Sequence, residues 1–152
     1  MQLVIGSDHA GFNLKQHLVP WLEKQGHKVL DLGPSTPASV DYPDFAAAVA
    51  RAVANGSAEQ GILVCGSGIG VAIAANKIAG IRAAQCYDLI SARLSRQHND
   101  ANIITLGERL VTPTVAEEIL SVWLTTAFEG GRHSQRITKI HALEAPDAAA
   151  NS

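Results

Sequence analysis

Cys65-Gly66-Ser67-Gly68-Ile69-Gly70 places a thiol and a hydroxyl in front of a glycine-rich turn. If a helix follows, its dipole and free N–H groups favour a thiolate at Cys65, able to act as base or nucleophile. The amides from Gly66 to Gly70 then suit an anion or a developing oxyanion. The segment is not the dinucleotide fingerprint, whose third glycine comes one residue later, and it lacks the Gly-Lys-Ser/Thr ending of a P-loop. Beside this reading stands a structural one, in which the glycines serve tight strand-to-helix packing. Cys86 has no such setting and reads as a small buried hydrophobe. Ser7-Asp8-His9, Tyr87-Asp88 and Gly107-Glu108-Arg109 are the other short polar clusters. Arg132 and Arg136 are four apart and share one face of a helix without acidic partners at matching spacing, which suits a phosphate or carboxylate. A solvated basic face is the alternative. His98 and Asn99 close another helix, where a histidine is commonly favoured by the dipole. The six histidines show no metal-ligand spacing, so no metal or other cofactor is expected.

The elements that must position these groups alternate. Short apolar runs at 2–6, 28–33, 61–65, 81–86 and 102–107 read as strands. Helical patterns follow at 12–22, 42–54, 71–77, 88–96, 113–128 and 132–143, with Gly26 and Asn55-Gly56 as stops and Pro113 as a start. Five strands each followed by a helix predict a single-domain α/β fold. Its centre is a doubly wound, five-stranded parallel sheet, Rossmann-like or flavodoxin-like, in three α/β/α layers with a C-terminal helix. In such a sheet, ligands bind beyond the carboxyl ends of the strands. The clusters after strands one, three, four and five all fall on that rim. Residues 1–143 form the expected domain and 144–152 a frayed tail.

Charged residues make up 17% of the chain, against a typical figure of about 25%, and 47% are apolar. That composition excludes intrinsic disorder, while no apolar run reaches the ~18 residues of a membrane span. A net charge of -2 offers no broad attraction for nucleic acid. Two cysteines are too few for a disulfide framework and no secretory signal is readable, so a cytoplasmic protein is expected. So few charges on so apolar a chain point to a buried partner interface.

Asp8-His9-Ala10-Gly11-Phe12, Asp41-Tyr42-Pro43, the run from Cys65 to Gly70, Ala75-Asn76-Lys77, Ser95 to Asp100 and Gly130-Gly131-Arg132-His133 together resemble the type B ribose-5-phosphate isomerases. That family also includes allose-6-phosphate and galactose-6-phosphate isomerases. The resemblance implies metal-free aldose–ketose isomerisation through a cis-enediolate, in a homodimer with active sites shared between subunits, with further pairing into tetramers left open. Carried over by position, Cys65 is the base that moves a proton between C1 and C2, and His98 opens the furanose ring. Ser67 and the amides of Gly66, Gly68, Ile69 and Gly70 stabilise the enediolate. Asp8 orients sugar hydroxyls, with Tyr42 near the sugar, and Asn99 holds the substrate chain. Arg109, Arg132 and Arg136, with His9, contact phosphate and hydroxyls. One branch of the family uses a glutamate after the glycine run; here that position is Val71, which cannot accept a proton. The competing readings are a hexose 6-phosphate isomerase and a non-catalytic module that binds a phosphorylated ligand.

Overall fold

A computed structural model describes residues 1–146. Its strands are β1 (Gln2–Ser7), β2 (Lys28–Asp31), β3 (Gln60–Cys65), β4 (Ala83–Gln85) and β5 (Ile103–Gly107). Its helices are α1 (Phe12–Lys24), α2 (Tyr42–Ala54), α3 (Ile69–Ala75), α4 (Leu89–Asn99), α5 (Pro113–Thr125) and α6 (Arg132–Ala142). All strand pairs are parallel, in the order β2-β1-β3-β5-β4. The expected three-layer α/β architecture is therefore present, with the last two strands exchanged relative to the flavodoxin-like order. The residues suit the exchange: β5, Ile103-Ile104-Thr105-Leu106-Gly107, is apolar but for one threonine and lies buried along its whole length in an interior place. β4 has three half-buried residues and makes the edge.

Alternation along the strands divides the core. Leu3, Ile5, Ile62, Val64, Ile104 and Leu106 face α1, α4 and α5, where Leu18, Ile119 and Trp123 are fully buried. Val4, Leu63, Cys65 and Ile103 face α2 and α3. α2 lies close to its face because it is built from alanine and valine over glycine. A β-carbon at Gly6 or Gly61 would come within 2.8 or 2.9 Å of Val49.

Several boundaries differ from the expected ones. α3 starts at Ile69, so Gly70 lies inside the helix instead of in the turn before it, and Gly68, left-handed at φ 76°, is the N-cap. β2 stops at Asp31 because Gly33 turns the chain at φ 99°. α4 continues through Asn99 to a left-handed C-cap at Asp100. α1 ends as expected, with Gly26 left-handed just past the cap. Of the tail expected over 144–152, residues 147–152 lie outside the described residues, while Glu144 accepts from Gly80 N at 2.8 Å.

Two turns at the strand ends admit no side chain. A β-carbon at Gly11 would sit 2.5 Å from the backbone of Val64, and one at Gly107 would sit 2.7 Å from that of Ser67. Backbone at that distance cannot rotate away as a side chain can. Gly11→Ala is therefore expected to cost about 1–3 kcal/mol, the usual penalty of overpacking, in a urea unfolding titration. A midpoint unchanged from wild type would show that the β1–α1 turn has room to spare.

Candidate active site

The sheet reverses its winding between β1 and β3, so a crevice opens beyond their carboxyl ends. There a cleft of about 380 Å³ is walled by Asp8, His9, Tyr42, Cys65, Ser67 and Arg109, with Ala10, Gly66, Gly70 and Leu110 completing it. Cys65 ends β3 and is 5% exposed, and its Sγ accepts the N–H of Gly68 at 3.1 Å. That backbone donor fixes the position of the sulfur at the mouth of the cleft.

Each wall is fixed by local structure. Asp8 Oδ1 accepts from Gly11 N at 3.0 Å, closing the tight turn that leads into α1. His9 Nδ1 accepts from Val40 N at 3.2 Å, which assigns the ring proton to Nε2 and leaves that N–H free to donate. Arg109 folds over Gly66, whose missing side chain admits the guanidinium: a β-carbon there would stand 3.1 Å from Nη1. Tyr42 rests on Gly70 in the same way, since a β-carbon would lie 2.7 Å from the ring. Gly70 thus makes room for a wall of the cleft instead of presenting an amide in a free turn. The amides of Gly68 and Ile69 are also engaged within the turn, to Cys65 Sγ and to Ser67 Oγ at 3.2 Å. Ile69 itself is half exposed, with its side chain outside the cleft walls.

Some contributors have no motif of their own. Gln85 Nε2 donates to Ser67 O at 2.8 Å and buried Thr105 Oγ1 donates to Gly68 O at 2.7 Å, so two neighbouring strands hold the turn in shape. Glu108 accepts the N–H of Leu14 and thereby caps α1 from the turn that carries Arg109. Alternation marked these positions only as strand or strand-end residues.

His98, Asn99, Arg132 and Arg136 are not among the cleft walls. His98, Arg132 and Arg136 gather around His133 in a second cluster on α4 and α6. The His98 and His133 rings stack at 4.3 Å with planes 14° apart. Burial, then the neighbouring His98 and Arg132, hold the His133 imidazole below its ordinary pKa. Arg132 and Arg136 are exposed and make no ion pair among the described residues. His98, His133 and Glu129 bring their ligating atoms within 4.8 Å of one another. The nearly parallel imidazoles direct their in-plane lone pairs side by side, however, so a common ion would require one ring to turn. Asn99 lines a different cavity, of about 610 Å³, beside Arg82 and Ile140.

Tyr87 and Asp88 do not join the cleft. Asp88 is the N-cap of α4, and the N–H of Ser91 holds its carboxyl below the usual range. Cys86 is 1% exposed, and burial pushes its thiol pKa up, as expected of an inert core cysteine.

Comparison with known proteins fits this arrangement. Residues 3–140 match the family model described as Ribose/Galactose Isomerase. Ribose-5-phosphate isomerase B of Escherichia coli is 48% identical over 143 residues, covering 94% of this chain and 96% of the relative. The structure of ribose-5-phosphate isomerase B from Clostridium thermocellum superposes with a TM-score of 0.94 at 51% identity, covering 95% of this chain and 97% of that one. That of the Mycoplasma genitalium isomerase with bound ribulose 5-phosphate does so with a TM-score of 0.90 at 43% identity, covering 94% and 95%. A family match from β1 to α6, joined to relatives that align over nearly their whole length, means that the chain belongs to the ribose/galactose isomerase family.

Proposed function

We propose that the protein interconverts D-ribose 5-phosphate and D-ribulose 5-phosphate, with Cys65 as the base. The observation that carries the residue assignment is the position of Cys65 Sγ, at the switch point of the sheet and under the N–H of Gly68. In the open-chain aldose, the Cys65 thiolate takes the proton from C2, and the electron pair moves to make the C1–C2 double bond of a cis-enediolate. Charge builds on O1, where the Ser67 hydroxyl, its oxygen already accepting from Ile69 N, is placed to donate and the N-terminal end of α3 supplies a positive dipole that needs no reorganisation. In this direction the hydroxyl proton of O2 passes to O1, C2 becomes the carbonyl carbon, and the thiol returns its proton to C1; the reverse reaction moves the hydroxyl proton from O1 back to O2. Nothing is oxidised or reduced overall.

Asp8 and His9 Nε2 are placed to hold sugar hydroxyls, and Tyr42 closes one side. Ring opening is assigned to His98, with Asn99 beside it, and phosphate binding to Arg132 and Arg136 together with Arg109. Since His98 and the two α6 arginines lie apart from the cleft, the proposal includes a homodimer in which one subunit's cleft faces its partner's α4–α6 cluster. Exposed apolar groups support such a pairing: Ile69 and Ile73 on α3, Tyr87 before α4, and Ile90 and Leu94 on it, with Ile90 64% exposed. A cytoplasmic location belongs to the same proposal, because two free cysteines, one of them the base, suit a reducing compartment.

Cys65→Ser should keep the fold and lower kcat/KM for ribose 5-phosphate by at least about 100-fold, the usual scale of lost acid–base catalysis. Activity within a few fold of wild type would remove Cys65 from the role. Deuterium exchange at the sugar carbons, followed by NMR with pentose and hexose phosphates in parallel, decides the substrate. Exchange is expected with the pentose, and exchange confined to allose or galactose 6-phosphate would assign the hexose reaction.

Shared sites have their own test. Cys65→Ser and His98→Asn chains, each inactive alone, should regain about one quarter of wild-type activity when unfolded and refolded as an equal mixture. Half of the dimers are then mixed, and each mixed dimer has one intact site. No recovery in verified mixed dimers would mean that both residues act within one chain.

A further inference from the structure

Arg82, the residue before β4, is not a wall of the cleft, yet its guanidinium reaches both helices that carry the second cluster. Nε donates to the carbonyl oxygen of Asn99 at 2.9 Å, and Nη2 donates to that of Asp100 at 2.8 Å. These are carbonyls at the end of α4, which an α-helix cannot satisfy by itself. Asp100 is held at φ 44° and is the only non-glycine residue with positive φ among the described residues. A side chain in that conformation needs support of this kind. Arg96 supplies more, from Nη1 to Asp100 Oδ1 at 2.8 Å and to Ala101 O at 2.7 Å.

On its other side, Arg82 Nη1 lies 2.6 Å from Nε2 of His141, in the last turn of α6. His141 Nδ1 is 2.9 Å from Glu144 Oε1, the same oxygen that accepts from Gly80 N. Arginine can only donate, so Nε2 of His141 must accept. The ring proton then sits on Nδ1 and is donated to Glu144. A neutral imidazole in that single tautomer satisfies every contact. Arg82 is itself fixed to the sheet: its N–H donates to Asn102 Oδ1 at 2.8 Å, and Asn102 N donates to Arg82 O at 3.1 Å.

α4 and α6 therefore meet at two separated places, the His98–His133 stack and the Arg82 bridge between Asn99 and His141. A stack alone would let α6 pivot, carrying Arg132 and Arg136 toward or away from His98. The second contact, two turns further along α6, removes that freedom. We infer that Arg82, acting through His141, is a positioning residue: it holds the phosphate-binding helix against the ring-opening helix and sets the span between His98 and the two arginines. This rests on the roles proposed above for His98, Arg132 and Arg136.

Steady-state kinetics of the full-length dimer test it. His141→Ala is expected to lower kcat/KM for ribose 5-phosphate by about tenfold, the scale of one lost charge-assisted hydrogen bond, with KM changing more than kcat. His141→Gln, whose amide can accept from Arg82 and donate to Glu144, should restore it to within about twofold of wild type. Competitive inhibition by inorganic phosphate should change little in His141→Ala, because the arginines stay on their helix. Arg82→Met should follow His141→Ala; if it fails to fold, the histidine pair still decides. Wild-type kcat and KM in His141→Ala, or a loss that His141→Gln does not restore, would overturn the inference. Arg136→Ala separates this from the underlying reading. If it leaves both KM and phosphate inhibition at wild-type values, the phosphate site is misassigned and the bridge loses its purpose.

Discussion

The backbone from Cys65 to Gly68 lies so close to the end of β5 that no β-carbon fits at position 107. From this contact follow the arrangements of both turns that wall the cleft. Gly68 takes a left-handed conformation and starts α3, which turns its N–H onto the Cys65 sulfur. Its carbonyl is held by Thr105 and that of Ser67 by Gln85, so the turn is tied to β5 and β4 as well as to its own strand. Beyond Gly107 the chain returns: Glu108 N donates to Cys65 O at 2.9 Å and Arg109 N to Gly66 O at 3.1 Å. The arginine is thus delivered over Gly66 by the same compaction that shapes the turn. Preorganisation of this kind lets dipoles act on developing charge without a reorganisation cost during turnover.

How much of this could be read from the residues depends on which interactions were local. The strands and helices follow from apolar period and from glycine and proline punctuation, and the rim position of Cys65, Asp8, His9 and Arg109 follows from a parallel sheet. Placing β5 inside β4 required comparing how completely two distant segments are buried, which alternation within either one does not report. Gly70 looked like part of an anion-binding turn because a glycine's reason is invisible without its neighbour; that neighbour is Tyr42, 28 positions away in the chain. His98 and the α6 arginines carried chemistry by type, but nothing in their spacing could place them in a cluster separate from the cleft. Arg82 had no motif at all. Its partners are the end of one helix and the last turn of another, brought together only by tertiary packing.

Separation of the two clusters gives the low charge content a physical reading. A chain with 17% charged residues has few groups with which to wet its surface, and it leaves Ile69, Ile73, Ile90 and Leu94 in the open. Each such side chain contributes roughly 1.5–3 kcal/mol when removed from water. In the proposed dimer, that burial would also draw a His98 cluster to a Cys65 cleft, so association and assembly of the active site are one event. The same pairing would bring Arg132 and Arg136 of one subunit toward Arg109 of the other, where the proposed phosphate is charged.

Among the described residues, the one ionic side chain with no exposed surface serves the same rim. Lys15 has no exposed surface, and burying an ammonium is costly unless it is paired and hydrogen-bonded. Its Nζ meets Asp31 Oδ2 at 2.8 Å and Oδ1 at 3.1 Å, with the ring of Phe12 5.2 Å away. Asp31 ends β2, and its Oδ1 also accepts from Gly33 N at 2.8 Å, which starts the loop from residue 32 to residue 41 in a fixed direction. Gly33 O then accepts from Ser7 N at 3.1 Å, tying the loop to the strand that presents Asp8. At its far end, Val40 N donates to His9 and Tyr42 opens α2 over Gly70. A buried pair adds little net stability over an apolar replacement, so its value here is directional. An apolar side chain at position 15 could fill the volume but could not orient Asp31, and without Asp31 oriented, the loop that sets the His9 tautomer and seats Tyr42 has no fixed origin.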